Sequence, residues 1–210
     1  MRKSKGFVQS ADKERLMPFF TYNIHDMLEE GGRDGVSELL RHFSCPLNHE
    51  IDKFVADNAI DFALRKISVT YFVLNSLNEI TGFFTLTHKP SFISLDALGS
   101  MTMRKKLERF CGGLRVDDRL LGSAFLIAQF GKNMEELHGE TISGNELIDC
   151  AFEVLTDVQR KIGGGIVFLE CEDNRKLLDF YQNDHNKFMV YGVRHDDVSN
   201  TKYLQLLRVF

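Results

Sequence analysis

From Leu47 onward, apolar residues recur at helical spacing: Leu47, Ile51, Phe54, Val55, Ala59 and Phe62, with Asp52, Lys53, Asp57 and Asp61 between them. The spacing predicts an amphipathic helix of about five turns. Upstream, the mixed stretch from Met17 to Glu30 reads as a helix stopped at Gly31-Gly32. Downstream, Val69-Thr70-Tyr71-Phe72-Val73-Leu74 and Ile80-Thr81-Gly82-Phe83-Phe84-Thr85-Leu86 are rich in β-branched and aromatic residues. Asn75 to Glu79 joins them, and the pair predicts a hairpin. Leu95 to Leu114 reads as a connection with a helical piece over Met103 to Phe110.

The second half is sharper. Phe125 to Phe130 is an almost continuous apolar run closed by Gly131, as expected of a strand buried on both faces. In Asn145 to Ile162, an apolar stripe of Leu147, Ile148, Ala151, Phe152, Leu155, Val158 and Ile162 predicts a helix, stopped by Gly163-Gly164-Gly165. Ile166 to Cys171 reads as another buried strand and Asn174 to Tyr181 as a short helix. Phe188 to Tyr191 and Tyr203 to Phe210 read as closing strands around a turn at His195 to Thr201. The strand–helix–strand unit in the middle should be parallel with a right-handed crossover, and the hairpins beside it antiparallel. The expected fold is α/β: a mixed, mostly antiparallel sheet with a central parallel strand pair, flanked by helices. One domain over 1–210 is expected, with 1–42 as an N-terminal extension of uncertain structure.

Composition changes this picture little. The 18 Phe among 210 residues suit a well-packed interior, and a net charge of −4 argues against broad binding to nucleic acid or anionic membranes. The segment Met1 to Lys13 has no apolar h-region, and no stretch reaches the ~18 apolar residues of a membrane helix. Cys45, Cys111, Cys150 and Cys171 form no C-x-x-C pair. A cytoplasmic protein with free thiols is the expectation.

Two stretches could carry chemistry. Ser143-Gly144-Asn145-Glu146 fits a capping box at the start of the 145–162 helix. Directly after a buried strand, such an N-terminus offers N–H groups and the positive end of the helix dipole to a pyrophosphate. It is equally an ordinary capped helix, and Glu146 adds a negative charge. Asn174-x-x-Leu177-x-x-Phe180-Tyr181 follows the Ile166 strand, placing Tyr181 at the carboxyl end of a parallel pair, where open α/β sheets hold ligands. A phenol there can protonate a leaving thiolate, or it can be half of a core aromatic pair. His138 and His185 lack ligand-like spacing, so no metal is expected. Cys171 reads as a structural thiol. The Arg104, Lys105, Lys106 and Arg109 cluster reads as a solvated helix face, with a coenzyme phosphate or a tRNA backbone as alternative contacts.

Taken in order from about Phe43 to Phe210, these elements resemble the GNAT N-acetyltransferases, the acyl-CoA N-acyltransferase fold. The family's Gln/Arg-x-x-Gly-x-Gly/Ala coenzyme loop corresponds to Gly139-Glu140-Thr141-Ile142-Ser143-Gly144, with Gly139 for the Gln/Arg and Ile142 for the middle glycine. The Asn-x-x-Ala-x-x-Phe-Tyr motif is matched by Asn174, Phe180 and Tyr181, with Leu177 for the small residue. Its usual Gly-Phe becomes Asn186-Lys187-Phe188. Phe43-Ser44-Cys45, Ile51-Asp52-x-Phe54 and Val69-Thr70-Tyr71 resemble the toxin-like branch.

The resemblance implies acetyl-CoA as acyl donor. Leu126, Ile127 and Ala128 would bind the pantetheine arm, with an N–H near Ile127 or Ala128 stabilising the oxyanion. Gly139, Ser143, Gly144 and Asn145 would hold the pyrophosphate, with Asn174 and Phe180 alongside. Tyr181 would protonate the thiolate. Gln129 stands where some relatives carry an acid. Glu170 and Glu172 are base candidates that also read as plain strand-end carboxylates, and the base stays unassigned. The acceptor would be the amine of a small molecule, a peptide or an aminoacyl-tRNA, the last disfavoured by the charge. A homodimer stays open. The rival reading is a non-catalytic acyl-CoA-binding or protein-interaction module on the same fold.

Overall fold

A computed structural model describes residues 18–96 and 98–210. The expectations that touch Met17 and the preceding segment lie outside the described residues. Asn23 ends a short strand, β1 (Phe20–Asn23), and its side chain accepts from the His25 N–H to cap α1 (Ile24–Leu40). This corrects the expected 17–30 helix. The glycine stop is real but local: Gly32, at φ 65°, kinks the helix, which resumes to Leu40. Asn48 caps α2 (His49–Lys53), which runs through a π-turn (Phe54–Asn58) into α3 (Ala59–Leu64). Then come β2 (Val69–Leu74), β3 (Ile80–Ser94), α4 (Met101–Phe110), β4 (Arg115–Val116), β5 (Arg119–Lys132), α5 (Gly144–Ile162), β6 (Ile166–Glu172), α6 (Arg175–Tyr181), β7 (Met189–Asp196) and β8 (Thr201–Val209).

The strands form one eight-stranded sheet in the order β1-β2-β3-β5-β6-β8-β7, with β4 paired to β5. All pairings are antiparallel except β5 with β6. This is the mixed sheet with a central parallel pair that the sequence predicts. Two strands are much longer than their apolar runs. β3 and β5 pair from Gly82↔Lys132 out to Ser94↔Arg119, and the polar residues along the outer part, including Lys89 and Ser91, hide this extension from periodicity.

Strand alternation divides the core. On one face Phe84, Phe125, Ile127, Val167, Leu169 and Leu206 pack with Leu147, Ile148, Ala151 and Leu155 of α5 and with Tyr181 of α6. On the other, Phe72 and Phe83 pack against α1–α3, while Ile93, Leu120, Phe168 and Leu207 pack with Leu107 of α4 and with Cys111, which caps its end. The connection expected over Leu95 to Leu114 therefore carries a helix with its own core. Its basic cluster is partly structural: Arg104 Nε donates to the Leu98 carbonyl at 2.9 Å and Lys106 Nζ to the Phe210 carbonyl at 2.9 Å. No described helix is long and apolar enough to cross a membrane.

Candidate functional site

The parallel pair is brief. β5 and β6 are in register only at Phe125↔Val167 and Leu126↔Phe168. Beyond them β5 continues to Lys132 along β3, and β6 continues to Glu172 along β8. The two strands thus part toward their carboxyl ends and open a wedge. Along the β5 side the register with β3 steps from Thr85↔Gln129 to Leu86↔Ile127, leaving Ala128 as a bulge with no partner on either neighbour. Ala128 is exposed, between buried Ile127 and half-buried Gln129. A bulge re-aims backbone groups, and here it does so in the middle of the wedge.

Tyr181 sits between the parted strands on the α5–α6 face. It is 7% exposed, with ring centroids 6.4 Å from Phe130 of β5, 4.9 Å from Phe180 and 5.8 Å from Phe188. Its hydroxyl makes no hydrogen bond among the described residues. Burial, with a smaller contribution from the neighbouring Cys171, holds the phenol well above its ordinary pKa, so it keeps its proton. Tyr181 is thus a core aromatic whose hydroxyl is unspent among the described residues. Cys171 is buried and its thiol is pushed up to about 11 by burial, which makes it a poor nucleophile.

The start of α5 is more occupied than its sequence implies. The capping box is formed: Ser143 Oγ accepts from the Glu146 N–H at 3.2 Å, and the Glu146 carboxylate accepts from the Ser143 N–H at 2.9 Å. Gly144 and Asn145 retain their N–H groups at the tip among the described residues. A Cβ on Gly144 would lie 2.9 Å from the Phe180 ring, so α6 needs a glycine here for close approach. Asn145 Oδ1 accepts from Asn186 Nδ2 at 3.2 Å, and Asn186 Nδ2 also donates to the Phe180 carbonyl at 2.7 Å. Asn186 is fully buried with its Oδ1 unpartnered. Asn174 caps α6, accepting from the Lys176 N–H at 2.9 Å.

Gly139 stands apart from this tip. Glu79, in the β2–β3 turn, accepts from the His138 and Gly139 N–H groups, from the His138 ring and from Asn75 Nδ2. These donors hold its carboxyl down at about 2. Asn133, buried, ties the same loop to the Ile80 and His42 carbonyls. Ile142, in place of the family's middle glycine, is 1% exposed and anchors the loop in the core. The sequence reading missed Glu79, Asn75 and Asn133, which it placed in plain loops. Asn and Glu directly flanking a tight turn were the available signal.

On the opposite face, Glu170 lies beside the wedge. Its carboxylate accepts from Arg194 Nε at 2.8 Å and from Gln205 Nε2 at 2.7 Å. Tyr191 is pushed up to about 12, mainly by burial and then by the Glu170 charge. Gln129 shares this face with its partner Thr85, which pairs hydroxyls with Thr70 at 2.9 Å. Glu172 is exposed at the strand end. Among the described residues no group of three or more His, Cys, Asp or Glu could hold a metal ion. His138 pairs with Glu79, and His185 with Asp149 at 2.8 Å.

No family model matches the chain, and no curated relative matches it by sequence. Solved structures do match. AtaT in complex with acetyl-methionyl-tRNAfMet superposes with a TM-score of 0.58 at 18% identity, over 88% of this chain and 93% of that one. A mutant of KacT gives 0.59 at 16% identity, over 90% and 95%. AtaTR bound with AcCoA gives 0.53 at 15% identity, over 90% and 93%. At this level of identity the likeness shows the fold, which is the GNAT fold.

Proposed function

We propose that this chain is an acetyl-CoA-dependent N-acetyltransferase that uses the β5–β6 wedge for the thioester. The observation that carries the reading is the early parting of the parallel pair, with the unpartnered bulge at Ala128 and the unspent hydroxyl of Tyr181 in the same opening. The crystallised structures with this fold include one bound with AcCoA, which supports the choice of donor.

The residues fit the thioester end. The pantetheine arm would run along Leu126, Ile127 and Ala128, adding its amides to a strand that has lost its parallel partner. A backbone N–H at Ile127 or Ala128 would face the carbonyl oxygen as negative charge builds there. The neutral amine nitrogen attacks the carbonyl carbon, the C–S bond breaks, Tyr181 gives its proton to the departing thiolate, and the surplus proton on nitrogen passes to water, from which Tyr181 regains its own. A phenol kept protonated by burial is in the right state for that step.

The fit is narrower at the other end. Gly144 and Asn145 offer N–H groups to a pyrophosphate, with Phe180 beside them, whereas Ser143 and Glu146 satisfy each other and the Gly139 N–H is held by Glu79. We therefore assign the phosphate contacts to Gly144 and Asn145, and read Ser143, Gly139 and Asn174 as residues that shape the loops. The same occupied tip favours the second reading, a module that binds partners without transferring acetyl groups.

Calorimetric titration of acetyl-CoA, followed by thiol release over a panel of amines, separates the two. Micromolar binding with amine-dependent release of CoA is the expected result. Binding without release across the panel would make the chain a module, and no binding at millimolar coenzyme would remove acetyl-CoA from its function.

A further inference from the structure

Resting on the acetyltransferase reading, we infer that Glu170 receives the acceptor, and that the acceptor is a cationic amine entering from the sheet face opposite α5 and α6. Glu170 and Ala128 are each two residues beyond the last parallel pair, Leu126↔Phe168, so they stand at the same level on the two sides of the wedge. Strand alternation puts the Glu170 side chain on the face of Phe168 and Leu207, away from Tyr181. Donor and leaving-group chemistry occupy one face, and Glu170 marks the other. An amine that attacks the thioester carbonyl must come from that free side.

The carboxylate is built to stay in place. Arg194 Nε engages one oxygen and Gln205 Nε2 the other, and the side chain is only 21% exposed. Two fixed donors orient the group, while each oxygen retains a lone pair for an incoming N–H. A carboxylate fixed in this way, partly out of water, attracts an ammonium and holds its nitrogen at the wedge, where it gives a proton to water before it attacks.

Further carboxylates surround Glu170. The Tyr203 phenol, on β8 at this face, is raised by burial and then by Glu50, Glu172 and Asp196, against the single opposing influence of Arg194. Arg194 is engaged with Glu170 and Asp196, and Lys89 lies over the Phe168 ring at 4.8 Å, at the closed end of the wedge. Lys202 is paired with Asp173. A polyanion meets carboxylates on this approach, and a basic peptide or polyamine meets complementary charge.

The experiment compares acceptors by charge with acetyl-CoA fixed. Thiol release is followed with spermidine, a lysine-rich peptide, an acidic peptide of equal length and an aminoacyl-tRNA, using wild type, Glu170→Gln and Glu170→Asp. The expected result is turnover with the two cationic acceptors, a KM for them raised at least ~10-fold by Glu170→Gln, partial recovery in Glu170→Asp, and an unchanged KM for acetyl-CoA. The KM for spermidine should also rise with salt in wild type, a readout that does not depend on any variant folding. Preference for the acidic peptide or for the tRNA, or an acceptor KM indifferent to Glu170→Gln and to salt, overturns the inference while leaving acetyl transfer standing. Failure of acetyl-CoA to bind overturns the acetyltransferase reading and this inference together.

Discussion

The two ends of the proposed coenzyme track are built in opposite ways. At the β5–β6 wedge the chain leaves groups unspent: a bulged Ala128 without a partner and a buried Tyr181 whose hydroxyl makes no hydrogen bond among the described residues. At the start of α5 it spends them on itself, through the Ser143–Glu146 capping box and the clamp of Glu79 on His138 and Gly139. Unsatisfied groups in a dry opening cost stability unless a ligand uses them. The proposed function uses the groups left at the wedge for chemistry, whereas at the α5 tip the Gly144 and Asn145 N–H groups and the buried Asn186 Oδ1 are what remains among the described residues.

The sharpest break of this comparison is Tyr181→Phe. It removes one oxygen with no hydrogen-bond partner from among Phe130, Phe180 and Phe188, so packing is kept. Turnover should fall by about 100-fold or more, the usual worth of a positioned general acid. Acetyl-CoA affinity measured by calorimetry should hold. An unchanged turnover would return Tyr181 to the core and leave the wedge without its acid.

Gly144→Ala tests whether the two ends are mechanically joined. Its Cβ would press on the Phe180 ring at 2.9 Å, and Phe180 is next in sequence to Tyr181. Overpacking of this kind costs about 1–3 kcal/mol. Thermal unfolding should report that loss, and the displaced α6 should lower turnover as well. A variant with wild-type melting and turnover would mean that α6 yields freely and that the ends are independent.

How far the sequence revealed each end follows from the kind of interaction that builds it. The apolar run at Phe125–Phe130, the stripe of α5 and the Asn174-to-Tyr181 spacing are local patterns, and they located α5 and α6 closely but only the inner part of β5. The bulge at Ala128 arises from the register between β3 and β5, which no single strand encodes. The clamp on the loop joins Glu79 to Gly139 across sixty positions, and each looks like an ordinary turn residue alone. Ile142 shows the same limit. As a departure from a glycine motif it suggested a damaged phosphate loop, whereas its burial shows that the loop has been re-anchored in the core. The helix that begins at Ile24 was misplaced because Gly31-Gly32 signals a stop, and tertiary packing of Val36 and Leu40 carries the chain past it.

The clamp itself has a pH signature. The Glu79 carboxyl is held at about 2 in the folded chain, below the ordinary glutamate value of about 4.3. A depressed folded pKa gives stability that is full above the unfolded value and is lost as pH falls toward 2. Wild type should therefore lose melting temperature between about pH 4.3 and pH 2. Glu79→Gln should melt lower at neutral pH and show a shallower slope in that window. Equal slopes for the two proteins would mean that the loop is held by Asn133 and Ile142 alone, and the occupied end of the track would lose one of its two causes.

The smallest effect isolates the other cause. Glu146 completes the capping box and also sets a negative charge in the first turn of α5, where Gly144 and Asn145 are assigned to the pyrophosphate. Glutamine keeps the box, because its side-chain oxygen can still accept from the Ser143 N–H, and it removes the charge. Charges near a helix N-terminus are worth about 0.3–1 kcal/mol, so Glu146→Gln should tighten acetyl-CoA by about 2- to 5-fold. The gain should shrink as salt is raised, and acetyl-pantetheine, which lacks the pyrophosphate, should show none. If affinity is unchanged for the intact coenzyme, its phosphates do not sit at the α5 tip. The wedge would then bind the acyl arm while the nucleotide end lies elsewhere on the surface.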